Sequence, residues 1–584
     1  MRIFFAGSTQ WKTFHSSLFF LCAITHIFLL VASNGKHSIG QEIGLTPAEP
    51  NGKLSTIHSP QTEVVAANEF IVVANPESRP YIRFFSIYNI PKEDTVTIPS
   101  DDITRTDTVK VKDGIIKTLN FWIHSISYES VIQPVHKVPG DNDLWWIDIR
   151  DYGWTPEAWE KVSKNEPYFR EPWISYKDYE LLRLLAGNAI VRADWFILHT
   201  SDVTKQTDRD EMPLYYELLY SKTGVPKTLE EFRAAWGIDV KKIEELAIEK
   251  GVIVDKGSSG ISRNNRQISR TRTELGYYYE TSDTKTSEGA QDYVENLDPI
   301  GLSRNDRDAG ESFTTNKLGL QVYFLYDGKN KRVEFGDPTV VWDKTDTKDI
   351  RVRTARSCIV CHGNAINIPQ NALSDHLKSG VELLTYRKEY QIAVERFYLS
   401  PMGKLFIADQ EIYAAAVQAV NGLSSDANSK LYKEILNWYE RSLSIQHAAQ
   451  ECGVSVEEFK DKCSATTSGR LASLVKSEKT INRESWEDLQ GGTFAQAMLL
   501  IHRITQEQIQ EQIQKIKPKN PLEIRILKDL VITQNRKTIA SLRTGDIIIL
   551  DDEQPRKDGL YTFTAGGSSI TISRQSFEWT NKQE

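Results

Sequence analysis

A chain of 584 residues is too long for one hydrophobic core, so three or four folding units are expected. Its 40% hydrophobic and 26% charged residues are the proportions of a globular protein in water. A formal charge of −8 argues against nucleic acid as the main partner and is compatible with a basic protein partner.

In the amino-terminal stretch, Arg2 and Lys12 precede an apolar run from Ser17 to Ala32 that ends in small residues. This order predicts a signal peptide over 1–33, cleaved after about Ser33, and hence export. An uncleaved anchor is the alternative, but the run is short for a membrane span and carries His26. Leu21 before Cys22 is not the small residue that lipidation requires. Arg2 and Lys12 are the only charged side chains in 1–33, so cleavage takes the formal charge from −8 to −10.

Residues 34–75 read as a polar linker and 76–345 as a mixed α/β scaffold. Leu144–Arg150 alternates like a half-buried strand, and Thr155-Pro156 is a helix start. Helices are predicted over 176–187, over 229–236 behind the capping box opened by Thr228, and over 240–251 behind Asp239. The basic stretch 260–272 reads as a solvated loop or strand edge, or as a binding face for an anionic group. Thr281 to Glu311 reads as a long surface loop. Leu318–Tyr326, the Asp327-Gly328 turn and the following KRVEFG form a hairpin.

That hairpin leads to Cys358-Ile359-Val360-Cys361-His362. C-x-x-C-H is the attachment signal of haem c: each thiol adds to a vinyl group and the adjoining imidazole is an axial iron ligand. A zinc half-site lacks a second ligand pair in this chain. A dithiol redox pair does not need His362, and no thioredoxin-like βαβ pattern surrounds it. Two structural cysteines are the remaining alternative. Arg351, Arg353 and Arg356 either neutralise haem propionates or form the polar face of a strand.

The pentad resembles that of cytochrome c. The wider chain is similar to large exported bacterial mono-haem proteins in IDIRDYGWTPEAW (147–159), RADWF (192–196), GISRNNR (260–266) and GLQVYFLYDG before SCIVCHG, across roughly 80–510. The resemblance implies one covalent haem and a fold class of α+β more than it implies any activity.

A mainly helical cytochrome c-like haem segment is expected over 346–430, a helical region over 431–518 and a small antiparallel β domain of the SH3-like barrel kind over 519–584. Within these, Ser374-Asp375 and Asp409 read as helix starts, 430–450 as one amphipathic helix, Ser455 as the cap of a short helix and 504–516 as a polar helix. Cys452 and Cys463 are candidates for a disulfide in an oxidising compartment, although an intervening helix would hold them apart.

The sixth iron position decides between carrier and enzyme. Met402, 40 residues after His362, is the first candidate and His376 the rival; His124, His136, His199 and His447 are further options, as is an empty site. Tyr386, Tyr390 and Trp438 read as core residues. The sequence has no Walker loop, no dinucleotide-binding glycine pattern, no H-E-x-x-H, no G-x-S-x-G and no second haem motif. The expected function is therefore one-electron transfer in the periplasm with a redox partner protein. The alternatives are a haem enzyme or gas sensor with an open iron, and a binding protein stapled by haem.

Overall fold

In the computed structural model, residues 60–99, 106–239 and 250–367 are described, apart from 286–306 and a few shorter stretches, as are 403–503 and the strands between 522 and 579. The architecture is α+β, with fifteen helices among the described residues and mostly antiparallel sheets.

The first helix, α1 (Pro60–Val73), lies inside the predicted linker. Val64, Ala67 and Ile71 recur at helical spacing and are fully buried, so this stretch belongs to the core. Then come β1 (Ile82–Ser86), β2 (Thr95–Pro99), β3 (Thr106–Lys110), α2 (Val111–Ser125), β4 (His136–Lys137) and β5 (Leu144–Asp148). As predicted, Thr155 caps α3 (Pro156–Ser163), accepting from the Ala158 amide. α4 (Tyr176–Ala186), β6 (Ile190–Arg192) and α5 (Ala193–Ser201) follow. The first sheet has the order β4-β5-β1-β6, with β6 parallel to β1.

After α6 (Leu214–Leu219) and α7 (Leu229–Ala235, capped by Thr228) comes the sheet that matters most for the site. Its strands are β7 (Lys250–Val254), β8 (Arg266–Thr273), β9 (Gly276–Ser282), β10 (Ala309–Thr315), β11 (Gln321–Asp327) and β12 (Arg332–Val333), an antiparallel meander in sequence order. Gly251, predicted to end a helix, instead pairs with Ser269 within this sheet; residues 240–249 lie outside the described ones.

Both sheet faces are covered, and side-chain alternation divides their tasks. Tyr278 and Glu280 turn to one face, where Arg233 of α7 meets both. Tyr279 lies opposite Phe313, and Phe313 opposite Tyr323, so these rings share the other face. The basic stretch from Arg266 on and both ends of the predicted loop 281–311 are strand here, while 286–306 lie outside the described residues. Arg266 and Arg270 of the basic stretch are buried strand residues, paired with Asp283 and Asp409 respectively. Glu311, at the end of the predicted surface loop, is a buried residue of β10.

The haem-motif helix α8 (Arg356–Cys361) is followed by α9 (Gly403–Asn421) and α10 (Ser425–Tyr439). Asp409 lies within α9 because its buried carboxylate receives two bonds from Arg270 rather than capping a helix. The helix predicted over 430–450 is two: Ser444 ends the break and caps α11 (Ile445–Glu451). Ser455 caps α12 (Val456–Cys463) as predicted; α13 (Gly469–Ser477), α14 (Arg483–Glu487) and α15 (Thr493–Ile501) complete this region.

The regions 76–345, 346–430 and 431–518, expected as separate units, share one continuous core from Val64 to Met498. Large aromatics make it continuous: Trp122 stacks on Tyr215 and reaches Tyr432, joining α2, α6 and α10. The carboxy-terminal strands β13 (Leu522–Ile526), β14 (Leu530–Gln534), β15 (Lys537–Leu542), β16 (Ile547–Leu550), β17 (Leu560–Ala565), β18 (Ser568–Ser573) and β19 (Phe577–Trp579) form a three-stranded sheet β16-β13-β19 and two hairpins, all antiparallel. The predicted helices at Ser374-Asp375 and 504–516 lie outside the described residues.

Candidate functional site

The helix α8 is a six-residue element held at both ends. Ala355 precedes it at φ +65°, an unusual backbone for a residue with a Cβ. Asp202 then ties the segment to the end of α5 through Arg353 and Arg356. On the other flank, Ser429 of α10 donates toward the carbonyls of Ile359 and Val360.

Three residues apart on one helical turn, Cys358 and Cys361 lie on the same side of α8. Both line one pocket, together with His362. The opposite wall is the inner face of the meander: Arg266 and Ile268 of β8, Tyr279 and Thr281 of β9, Glu311 and Phe313 of β10. Ile261, Val352, Ile366 and Phe406 close the sides. The cavity they enclose is about 90 Å³, well below the several hundred Å³ of a formed cofactor site.

The imidazole of His362 is fixed in place. Its Nδ1 lies 2.7 Å from the Ala365 carbonyl. A carbonyl only accepts, so Nδ1 carries a proton and donates, while Nε2 stands 3.7 Å from Glu311 Oε1. Gln321 donates to the same carbonyl at 3.0 Å, and Gln410 of α9 donates to the Ile366 carbonyl at 2.6 Å, which anchors the turn after the motif. The ring stands edge-to-face on Phe313, with centroids 4.7 Å apart, and 5.8 Å from Tyr323.

Burial, followed by the neighbouring Glu311, pushes the Cys358 thiol well up. Burial, then Asp343 and Glu311, pushes that of Cys361 to about 12. Both are protonated near neutral pH, whereas a dithiol redox site needs a lowered thiol. Among the described residues no three His, Cys, Asp or Glu side chains converge as a metal-binding group.

The donor types are those a covalent haem c would need, but the space they enclose is too small for a porphyrin. Two thiols and an Nδ1-protonated imidazole line one pocket with largely apolar walls, and the carbonyl bond on Nδ1 is the outer contact that orients a metal-binding histidine.

The motif's arginines take neither role predicted for them. Arg353 bonds to Asp202 and Asp346, Arg356 to Asp202 and Glu440, and Arg351 to Asp349. They line a second, polar cavity of about 560 Å³ on the other side of α8. Carboxylates already neutralise them. Arg266, from the basic stretch, is the arginine that reaches the haem-motif pocket.

Met402 and His376 lie outside the described residues. Phe406, four positions after Met402, lines the pocket. The other candidate histidines are engaged elsewhere. His124 donates to Asn120 and accepts from the Gln133 amide; His136 lies on Trp146 in β4. His199 stacks on Trp195, and His447 bonds to Ser444. None of the four lines the pocket. Cys452 and Cys463 are free, buried thiols. Tyr386 and Tyr390 lie outside the described residues, and Trp438 donates to Asp94.

Sequence reasoning missed the whole sheet wall. Its signal was the alternation of Glu311 with Phe313 and of Tyr279 with Thr281, hidden because the flanking polar residues suggested a loop. No helix among the described residues is long and apolar enough to cross a membrane. Compared with protein-family models, curated proteins and solved structures, the chain matches none.

Proposed function

We propose that this chain is an exported c-type cytochrome with one haem bound through Cys358, Cys361 and His362, which passes single electrons in the periplasm to a partner protein. The observation that carries the reading is the placing of His362: Nδ1 donates to the Ala365 carbonyl, and the ring lines the same pocket as both thiols. A bound haem c supplies reversible one-electron chemistry at iron.

The protein's own part is to hold and insulate. Phe313 and Tyr323 fix the imidazole plane, while Ile268, Val352 and Phe406 exclude water from the pocket. Cys361 and His362 are only partly buried, so this edge of the site approaches the surface where a partner would meet it. The formal charge of −8 suits a basic partner. Export rests on residues 1–33, read as a signal peptide.

A haem enzyme or gas sensor remains the second reading. It is favoured by the sheet wall, whose polar groups Arg266, Thr281 and Glu311 face the pocket, where a pure carrier would be served by apolar packing.

The test is the full chain produced in a host with haem c attachment machinery. One haem per chain, resistant to acid extraction and lost in the Cys358→Ala/Cys361→Ala double variant, is expected, with one reversible electron on titration. A chain that emerges without covalent haem overturns the proposal. Covalent haem that binds CO readily and exchanges electrons slowly with soluble carriers moves the assignment to the second reading.

A further inference from the structure

The polar cavity of about 560 Å³ behind α8 is a separate space, within the size range of small-molecule sites. Several segments wall it. Arg356, Ser357 and Val360 come from α8, while Lys433, Leu436 and Asn437 lie three and four positions apart on one face of α10. The loop from Asp343 to Arg353 and the start of α14 at Asn482 add to these walls. Among the described lining residues only Val360 and Leu436 are apolar and none is aromatic, so the space suits a hydrophilic, non-aromatic occupant.

Charge alone does not choose that occupant. Seven basic and five acidic side chains line the cavity, and the buried Asp202 and Glu451 behind it bring the acids level. What differs is which groups are already engaged. Each lining carboxylate accepts from the protein: Asp343 from the Thr345 amide at 2.9 Å, Asp346 from Arg353 at 2.5 Å and Asp349 from Arg351 at 2.7 Å. Glu440 accepts from Arg356 at 2.5 Å and Glu484 from Lys205 at 2.9 Å.

The donors are not all taken. Lys348 and Lys433 make no ion pair among the described residues. Lys433 is half-buried on α10, where an ammonium without a counter-ion is costly. Asn482 spends its oxygen on the Ser485 amide, which leaves its NH2 group to donate. A cation entering here would find the carboxylates occupied, whereas an anion would find donors waiting.

We propose that this cavity binds a small organic oxyanion, a carboxylate or phosphate on a hydroxylated, non-aromatic skeleton, with Lys433 holding the anionic group. Lys348, exposed at the rim, draws the anion in, and the side-chain amides of Asn437 and Asn482 serve its hydroxyls. The site needs no haem and stands or falls independently of the haem-motif pocket.

The full chain is titrated by calorimetry at neutral pH and low salt with glucose 6-phosphate, gluconate, inorganic phosphate and glucose. At least one of the two organic anions should bind, more tightly than inorganic phosphate and more weakly as salt is added; glucose should not bind. Binding of the sugar phosphate alone identifies a phosphate ligand, and binding of gluconate alone a carboxylate. Lys433→Gln should weaken binding about tenfold with the melting temperature unchanged, and Lys348→Gln should weaken it less. Lys430→Gln, on the same helix but paired with Asp426 outside the cavity, should have no effect.

The proposal is overturned if neither organic anion binds at millimolar concentration, or if glucose or inorganic phosphate binds as tightly. It is overturned equally if Lys433→Gln binds like the wild type, or if Lys430→Gln weakens binding as much as Lys433→Gln does. Lys348→Gln changes an exposed side chain and keeps the test open should Lys433→Gln fail to fold; wild-type affinity and salt dependence in that variant would then overturn it.

Discussion

A single carboxylate oxygen of Asp202, Oδ2, receives both Arg353 at 2.9 Å and Arg356 at 2.8 Å, so the start of the haem-motif helix hangs on the end of α5. Asp202 is fully buried, and burial alone would raise its pKa; the two guanidinium groups and Thr204 outweigh that and leave it below the usual aspartate value. Breaking such a pair strands two buried cations. Asp202→Asn is expected to lower unfolding free energy by about 3–5 kcal/mol, measured by urea denaturation at pH 7. A loss within experimental error would mean that Asp346 and Glu440 carry the arginines unaided.

Gly363, directly after the motif, faces α10 without room for a side chain. A Cβ there would lie 2.7 Å from both Cβ and Oγ of Ser429. Gly363→Ala is expected to destabilise the protein by about 1–3 kcal/mol through overpacking and to reduce the yield of covalent haem. Adding Ser429→Gly removes the obstructing atoms and should restore most of the yield. Failure of that rescue would place the effect in the backbone.

Glu451 of α11 gathers Arg483 at 2.6 Å, Arg192 at 3.3 Å and the Trp486 indole at 2.8 Å. Burial works to raise its pKa, but Arg192 and Arg483 prevail and bring it to about 2. A depressed carboxylate stabilises the fold fully above its unfolded value of 4.5 and loses that contribution as pH falls toward 2. Glu451→Gln is expected to cost about 3–5 kcal/mol at pH 7, and its melting temperature should converge on the wild type between pH 4.5 and 2. A gap that does not change with pH would contradict the assigned ionisation.

Glu166 has the opposite sign. Burial, only partly offset by the Phe169 amide and Arg192, raises its pKa to about 8. Its contribution is fully present below the unfolded value of 4.5 and is lost as pH rises through about 8. Glu166→Gln should therefore flatten the decline in melting temperature between pH 4.5 and about 8, relative to the wild type. An unchanged decline would remove Glu166 as its source.

What the sequence disclosed was local. The caps at Thr155, Thr228 and Ser455, the Asp327-Gly328 turn and the spacing of the cysteine pair each depend on residues a few positions apart. Contacts between distant segments were hidden. Asp409 looks like a helix cap until Arg270, 139 residues earlier, is brought against it. Arg353 and Arg356 look free to meet propionates until Asp202 claims them. Glu311 carries no local mark, because a polar residue in a strand reveals neither which face it takes nor what faces it. The helix Pro60–Val73 was missed because its three core contacts are diluted by polar neighbours.

The near-complete enclosure of Cys358, 2% exposed, sets an order of events in the life of the chain. On the haem reading proposed above, a thioether to this sulfur would have to form while the segment is still open, before the meander closes over it and Asp202 seizes the arginines. Cofactor loading and folding would then be consecutive stages, and a chain that folded first would exclude the proposed group. Translocation as an extended chain, with the attachment machinery waiting on the far side, would provide that interval.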